Sequence, residues 1–156
     1  MATYAELITE AQERFVRAVD GVDREVLESE PAVGTWNASD VTAHVDDWAK
    51  EILAALECAL GGPQPANQPV ADGEQFNTEH AAMHTGESWD TVIGNLSTTM
   101  TNAADFARRV TPEQATQPVA PPWGGATTIG DLLESFPGHH NEHAAELEAW
   151  RAGRRG

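Results

Sequence analysis

Apolar residues return every three or four positions over most of the chain, and no stretch alternates apolar with polar, so the pattern predicts helices and no strands. Thr3-Tyr4-Ala5-Glu6 has the spacing of a capping box. Behind it, Leu7, Ala11, Phe15, Ala18 and Val22 mark one face of a first amphipathic helix about five turns long. Gly21 loosens its end, and Asp23 to Ser29 reads as a short helical turn closed by Pro31 and Gly34. Trp36-Asn37-Ala38-Ser39-Asp40 opens a second long helix, with Asn37 or Ser39 as N-cap. Its apolar stripe is Val41, His44, Val45, Trp48, Ile52, Ala55, Leu56 and Ala59, and Gly61-Gly62 stops it.

Residues 61–73 hold three of the nine prolines and no periodicity, which predicts a long ordered crossover loop. Phe76 to about His84 and Trp89 to about Val110 read as a third helix, broken or kinked near Thr85-Gly86-Glu87-Ser88, with Ser88 capping the second piece. Val92, Leu96, Thr99, Met100, Ala103 and Phe106 form its core face. Thr111-Pro112-Glu113 starts a short turn, and Pro118 to Gly125 is a loop carrying Trp123. Thr128-Ile129-Gly130-Asp131 opens the last helix, whose inward stripe is Leu132, Leu133, Phe136, His140, His143, Leu147 and Trp150. Four main helices joined by one long crossover make an all-α, four-helix bundle, and 156 residues fit a single domain.

Charge narrows the function. With 25 acidic against 9 basic side chains, the chain carries a formal charge of −16 and no basic patch beyond Arg151, Arg154 and Arg155. Nucleic acid and anionic membranes are therefore excluded as partners. The one cysteine, Cys58, lies in an apolar helical run and reads as a small buried hydrophobe. No intrachain disulfide framework is available to it, and a cytoplasmic location follows as the economical expectation. The N-terminal residues lack a signal peptide's basic and apolar regions, and no run approaches the ~20 apolar residues that span a bilayer.

Candidate chemistry gathers in Gly138-His139-His140-Asn141-Glu142-His143, which holds three of the six histidines. His139 and His143 stand four apart, one helical turn, where two imidazoles can share one metal ion. At roughly 100° per residue, His140 and His143 fall nearer the centre of the apolar stripe than His139, so His140 with His143 is an alternative ligand pair. Adjacent imidazoles buried without partners cost several kcal/mol, a cost that a cation removes. Pro137 leaves the Leu133 carbonyl without its helical partner and is expected to bend the helix just before the cluster. His80 and His84 repeat the four-residue spacing, either as a solvated face or as a substrate contact or proton shuttle.

Trp36 to Trp48, with its tryptophan, capping asparagine and His44, resembles the start of the second helix in DinB/YfiT-like proteins. Ile129-Gly130-Asp131-Leu132-Leu133 followed by His139-His140-Asn141-Glu142-His143 resembles that family's last-helix motif. The resemblance spans nearly the full chain in helix and motif order. It implies an up-down-down-up bundle, often a homodimer, with a three-histidine site for zinc, nickel or a similar divalent ion. By position the ligands are His44, His139 and His143, and His140 takes the place of the motif's aromatic. Relatives include mycothiol-dependent maleylpyruvate isomerase-like members and transferases that join a low-molecular-weight thiol to a small-molecule electrophile. Three protein ligands leave a position open for thiol or substrate. His80, His84, Asn77, His140 and Trp48 are then the expected lining of the substrate site. The alternative is a non-catalytic resistance or stress protein that sequesters a small molecule in the bundle, against Trp36, Trp48, Trp123 and Trp150.

Overall fold

Each long helix starts where a side-chain oxygen meets a free backbone amide. The computed structural model describes residues 1–155. Helix α1 (Tyr4–Val19) opens on the reciprocal Thr3–Glu6 box, with Thr3 Oγ1 accepting from the Glu6 amide at 3.1 Å. Asn37, not Ser39, caps α3 (Ala38–Ala59), accepting from the Asp40 amide at 2.8 Å, while Ser39 is buried in the first turn. Between them lies α2 (Arg24–Ser29). Asp72 caps α4 (Gly73–Met83), Ser88 caps α5 (Trp89–Arg109), and Thr111 with Pro112 starts α6 (Pro112–Ala115). The last helix, α7 (Ile129–Arg155), begins with Thr128 Oγ1 accepting from the Asp131 amide at 3.2 Å. These contacts satisfy helix-terminal donors that would otherwise have no partner.

The four long helices close a ring in which α1 packs on α7 and α5, and α3 packs on α5 and α7. Tyr4 Oη sits over Gly130, and Arg151 Nη1 donates to the Arg17 carbonyl at 3.1 Å, so α1 and α7 run side by side in one direction. A Cβ at position 130 would come within 2.9 Å of Tyr4 Oη, which is why glycine stands there. The end of α5 lies beside the start of α1, and the end of α3 lies beside the loop entering α7, so both run opposite to the first pair. Ile8, Phe15, Leu56, Leu96, Ile129, Leu132, Leu133 and Leu147 are fully buried in the shared core. Each contributes on the order of 1.5–3 kcal/mol through burial.

Two local expectations change, and one, the break in the third helix, holds. The apolar face of α1 is carried by Ile8 rather than Leu7, which is half-buried, and Val22 lies past the helix end. The break expected near Thr85-Gly86-Glu87-Ser88 is found there, and it parts α4 from α5 through a turn in which Gly86 takes a positive φ of 84°. A strand pair also exists: β1 (Pro118–Val119) and β2 (Thr127–Thr128) form a two-residue antiparallel ladder at the mouth of the loop before α7. Two residues are too few to display alternation, so no pattern announced it. The crossover 61–73 is ordered, with Gln68 Nε2 donating to the Glu51 carbonyl at 2.7 Å and the Val70 amide donating to Pro122 at 2.7 Å. Among the described residues no helix is long and apolar enough to cross a membrane.

Candidate metal centre

Helices α3 and α7 bring His44, His139 and His143 together. His139 Nε2 lies 3.2 Å from His44 Nε2 and 3.0 Å from His143 Nε2. The rings stand nearly edge to face, at interplanar angles of 75°, 89° and 85°. A neutral His139 Nε2 offers one proton or one lone pair, so it cannot make a good hydrogen bond to both neighbours. Two spacings near 3 Å, with the three ligand atoms all within 4.8 Å of one another, instead suit the ligand–ligand edges of a tetrahedral site, about 3.3 Å for bonds of 2.0–2.1 Å. These residues fit a divalent cation.

The electrostatics agree. Burial, then repulsion from His139 and His143, lowers His44 to about 3. Burial and His143 lower His139 to about 4. Both are neutral at pH 7, the form in which imidazole is a ligand. Glu146 Oε1 stands 2.5 Å from His143 Nδ1, off the line of a hydrogen bond. A carboxylate on the far nitrogen orients a ligating imidazole. Trp36 backs His44 with its ring centroid 5.0 Å away.

His140 lies elsewhere. Although expected in the substrate lining, it is only 2 % exposed. Its Nε2–H donates to Gln12 Oε1 at 2.8 Å, and its ring packs 5.1 Å from that of Phe15 on α1. Consecutive residues on a helix point about 100° apart, so His139 and His143 serve the α3 side while His140 serves α1. Burial, then the neighbouring His139 and His143, lowers its pKa to about 3.

The other expected residues form a second group over α3. Trp48 Nε1 donates to Asn77 Oδ1 at 2.7 Å, and Trp48 packs on Phe76, which stacks on His80 at 3.9 Å. His84 Nε2 lies 2.8 Å from Asp47 Oδ1, His84 Nδ1 contacts Glu87 Oε1, and His80 Nδ1 is 3.8 Å from Asp47 Oδ1. Burial works against the His84 imidazolium, but hydrogen bonds to Asp47 and Glu87 outweigh it and raise its pKa. Burial also raises Asp47, against the pull of His84. Asp47, Glu87 and Glu146 were not anticipated from the sequence. The signal that marks the two glutamates is a repeated histidine-x3-histidine-x2-glutamate, at 80–87 and 139–146. The tryptophans do not converge on one cavity: Trp123 is 55 % exposed, and Trp150 lies under Arg154.

The sequence profile of the DinB superfamily matches residues 7–147, most of the chain. The chain belongs to that superfamily. A search of curated protein sequences returns no match. Two crystal structures of the mycothiol-dependent maleylpyruvate isomerase, one of them a mutant, share the DinB-like fold with TM-scores of 0.76 and 0.75 at 15% and 16% identity. They cover 94% of this chain, which spans 63% of theirs. An uncharacterised protein from Escherichia coli UTI89 aligns with a TM-score of 0.77 at 12% identity, over 99% of this chain and 96% of its own. At these identities the likeness is one of fold.

Proposed function

We propose that this DinB-superfamily chain is a divalent-metal-dependent enzyme that directs a low-molecular-weight thiol onto a small electrophile, by transfer or isomerisation. The observation that carries the reading is the convergence of His44, His139 and His143 through their Nε2 atoms, with all three groups part-exposed. His44, His139 and His143 would hold the ion, with zinc or nickel suited to three imidazoles. When bound, such an ion supplies Lewis acidity toward a thiol at neutral pH. Glu146 orients His143, and Trp36 fixes the ring of His44. Trp48, Asn77 and the His80–His84 pair form a wall one turn along α3, where the second substrate is positioned and a proton can be held at His84. Opposed directions of α1 and α7 against α3 and α5 support the up-down-down-up arrangement of the family. A homodimer working in the cytoplasm belongs to the same reading.

Elemental analysis of purified protein, paired with a thiol-consumption assay over a panel of electrophiles, tests it. A bound divalent ion and turnover that chelator abolishes and zinc or nickel restores are expected. Protein that carries no such ion and takes none up overturns the proposal.

A further inference from the structure

We infer that α3 supports a second divalent-cation site, formed by Asp47, His80 and His84. The two halves of the chain repeat one arrangement. His139-x3-His143-x2-Glu146 on α7 meets His44 of α3, and His80-x3-His84-x2-Glu87 on α4 and its following turn meets Asp47 of α3. His84 turns Nε2 to Asp47 of α3 and Nδ1 to Glu87, and His143, whose ring packs on that of His44, turns Nε2 to His139 and Nδ1 to Glu146. That is the orientation a metal-ligating imidazole takes when a carboxylate holds its far nitrogen. His44 and Asp47 are three residues apart, about 4.5 Å along the helix axis.

Asp47 supplies the second reason. Its side chain is 8% exposed, yet its Oδ1 faces His84 Nε2 at 2.8 Å and His80 Nδ1 at 3.8 Å. A carboxylate withdrawn from water needs compensating positive charge. His84, whose two nitrogens both meet carboxylates, supplies that charge when it carries a proton. A divalent ion between Asp47, His80 and His84 supplies two positive charges to the same carboxylates and makes both histidines neutral ligands. Two imidazole nitrogens and one carboxylate oxygen suit zinc, cobalt or nickel. The geometry is looser than at the first centre, which alone among the described residues brings three ligand atoms within 4.8 Å of one another. Closing it requires His80 to turn on its stack with Phe76. Its side chain is 20% exposed.

The site goes beyond the proposed function: a cation there takes the place of the proton held at His84, while the first centre of His44, His139 and His143 is tested by its own turnover. Cobalt(II) uptake by the full chain tests it, with calorimetric stoichiometry and the visible absorption of the loaded protein as readouts. Two ions per chain are expected in the wild type and one in His139→Ala, whose remaining spectrum reports the second site alone. In the His139→Ala background, Asp47→Asn keeps a side-chain hydrogen-bond acceptor beside His84 and is expected to weaken cobalt binding about tenfold or more. Circular dichroism checks that each variant stays helical, and wild-type stoichiometry decides the matter if a variant unfolds. One ion per chain in the wild type, or no uptake by folded His139→Ala, overturns the inference: a proton alone then satisfies Asp47. Failure of thiol turnover in the wild type, by contrast, bears only on the first centre.

Discussion

His143 and Glu146 stand three residues apart on α7, with imidazole Nδ1 2.5 Å from carboxylate Oε1. This relationship leaves Nε2 of His143 to face His139 and His44. Glu146→Ala is therefore expected to weaken divalent-ion binding at the first centre by about 10- to 100-fold with the helical content unchanged. Competition against a chromophoric chelator measures it, and an unaltered affinity would remove Glu146 from the site.

Acid should destabilise the metal-free chain through His140. Its folded pKa is about 3, against an ordinary imidazole value of 6.5. Between those values the unfolded chain binds a proton that the folded chain refuses, so this stability is present above pH 6.5 and is lost as pH falls. One unit below the unfolded pKa the loss is about 1.4 kcal/mol for one such group. Urea midpoints between pH 7 and pH 5 should fall more steeply in wild type than in His140→Gln, by about one proton.

His84 acts with the opposite sign. Its pKa is raised in the folded chain, so its contribution is full below the unfolded value and fades as pH rises through the folded one. His84→Gln should lower the thermal midpoint at pH 6 and do little at pH 9. The part-exposed partners limit the effect to about 1 kcal/mol.

Across the α3–α5 interface, buried Thr99 Oγ1 donates to Asp46 Oδ1 at 2.6 Å, and Lys50 closes on the other oxygen at 3.0 Å. Thr99→Val keeps the shape and removes the donor. It should cost about 1–3 kcal/mol in chemical denaturation.

Much of this was legible in the sequence. The box at Thr3, the cap at Ser88 and the choice of Asn37 or Ser39 before α3 involve neighbours in the chain, so their geometry is local. Every residue read into the stripe of α5 is buried because that helix buries one broad face, which also takes in Ala104 and Ala107. The histidine pairs were visible as spacings, but their partners were not. Asp47 reaches His84 across 37 residues and Gln12 reaches His140 across 128, and no periodicity encodes such meetings. Angular reasoning placed His140 and His143 on one inward stripe. It missed that α7 packs on both α1 and α3, so that an inward position has two destinations.

The ladder of Pro118–Val119 with Thr127–Thr128 ends where α7 begins, and the histidines follow within about four turns of that anchor. Inserting or deleting one residue between 129 and 138 would swing every imidazole beyond it by about 100°. Such a chain would still coil and still bury leucines, yet its nitrogens would miss α3. Length in this segment is thus under tighter constraint than the identity of its solvent-facing side chains.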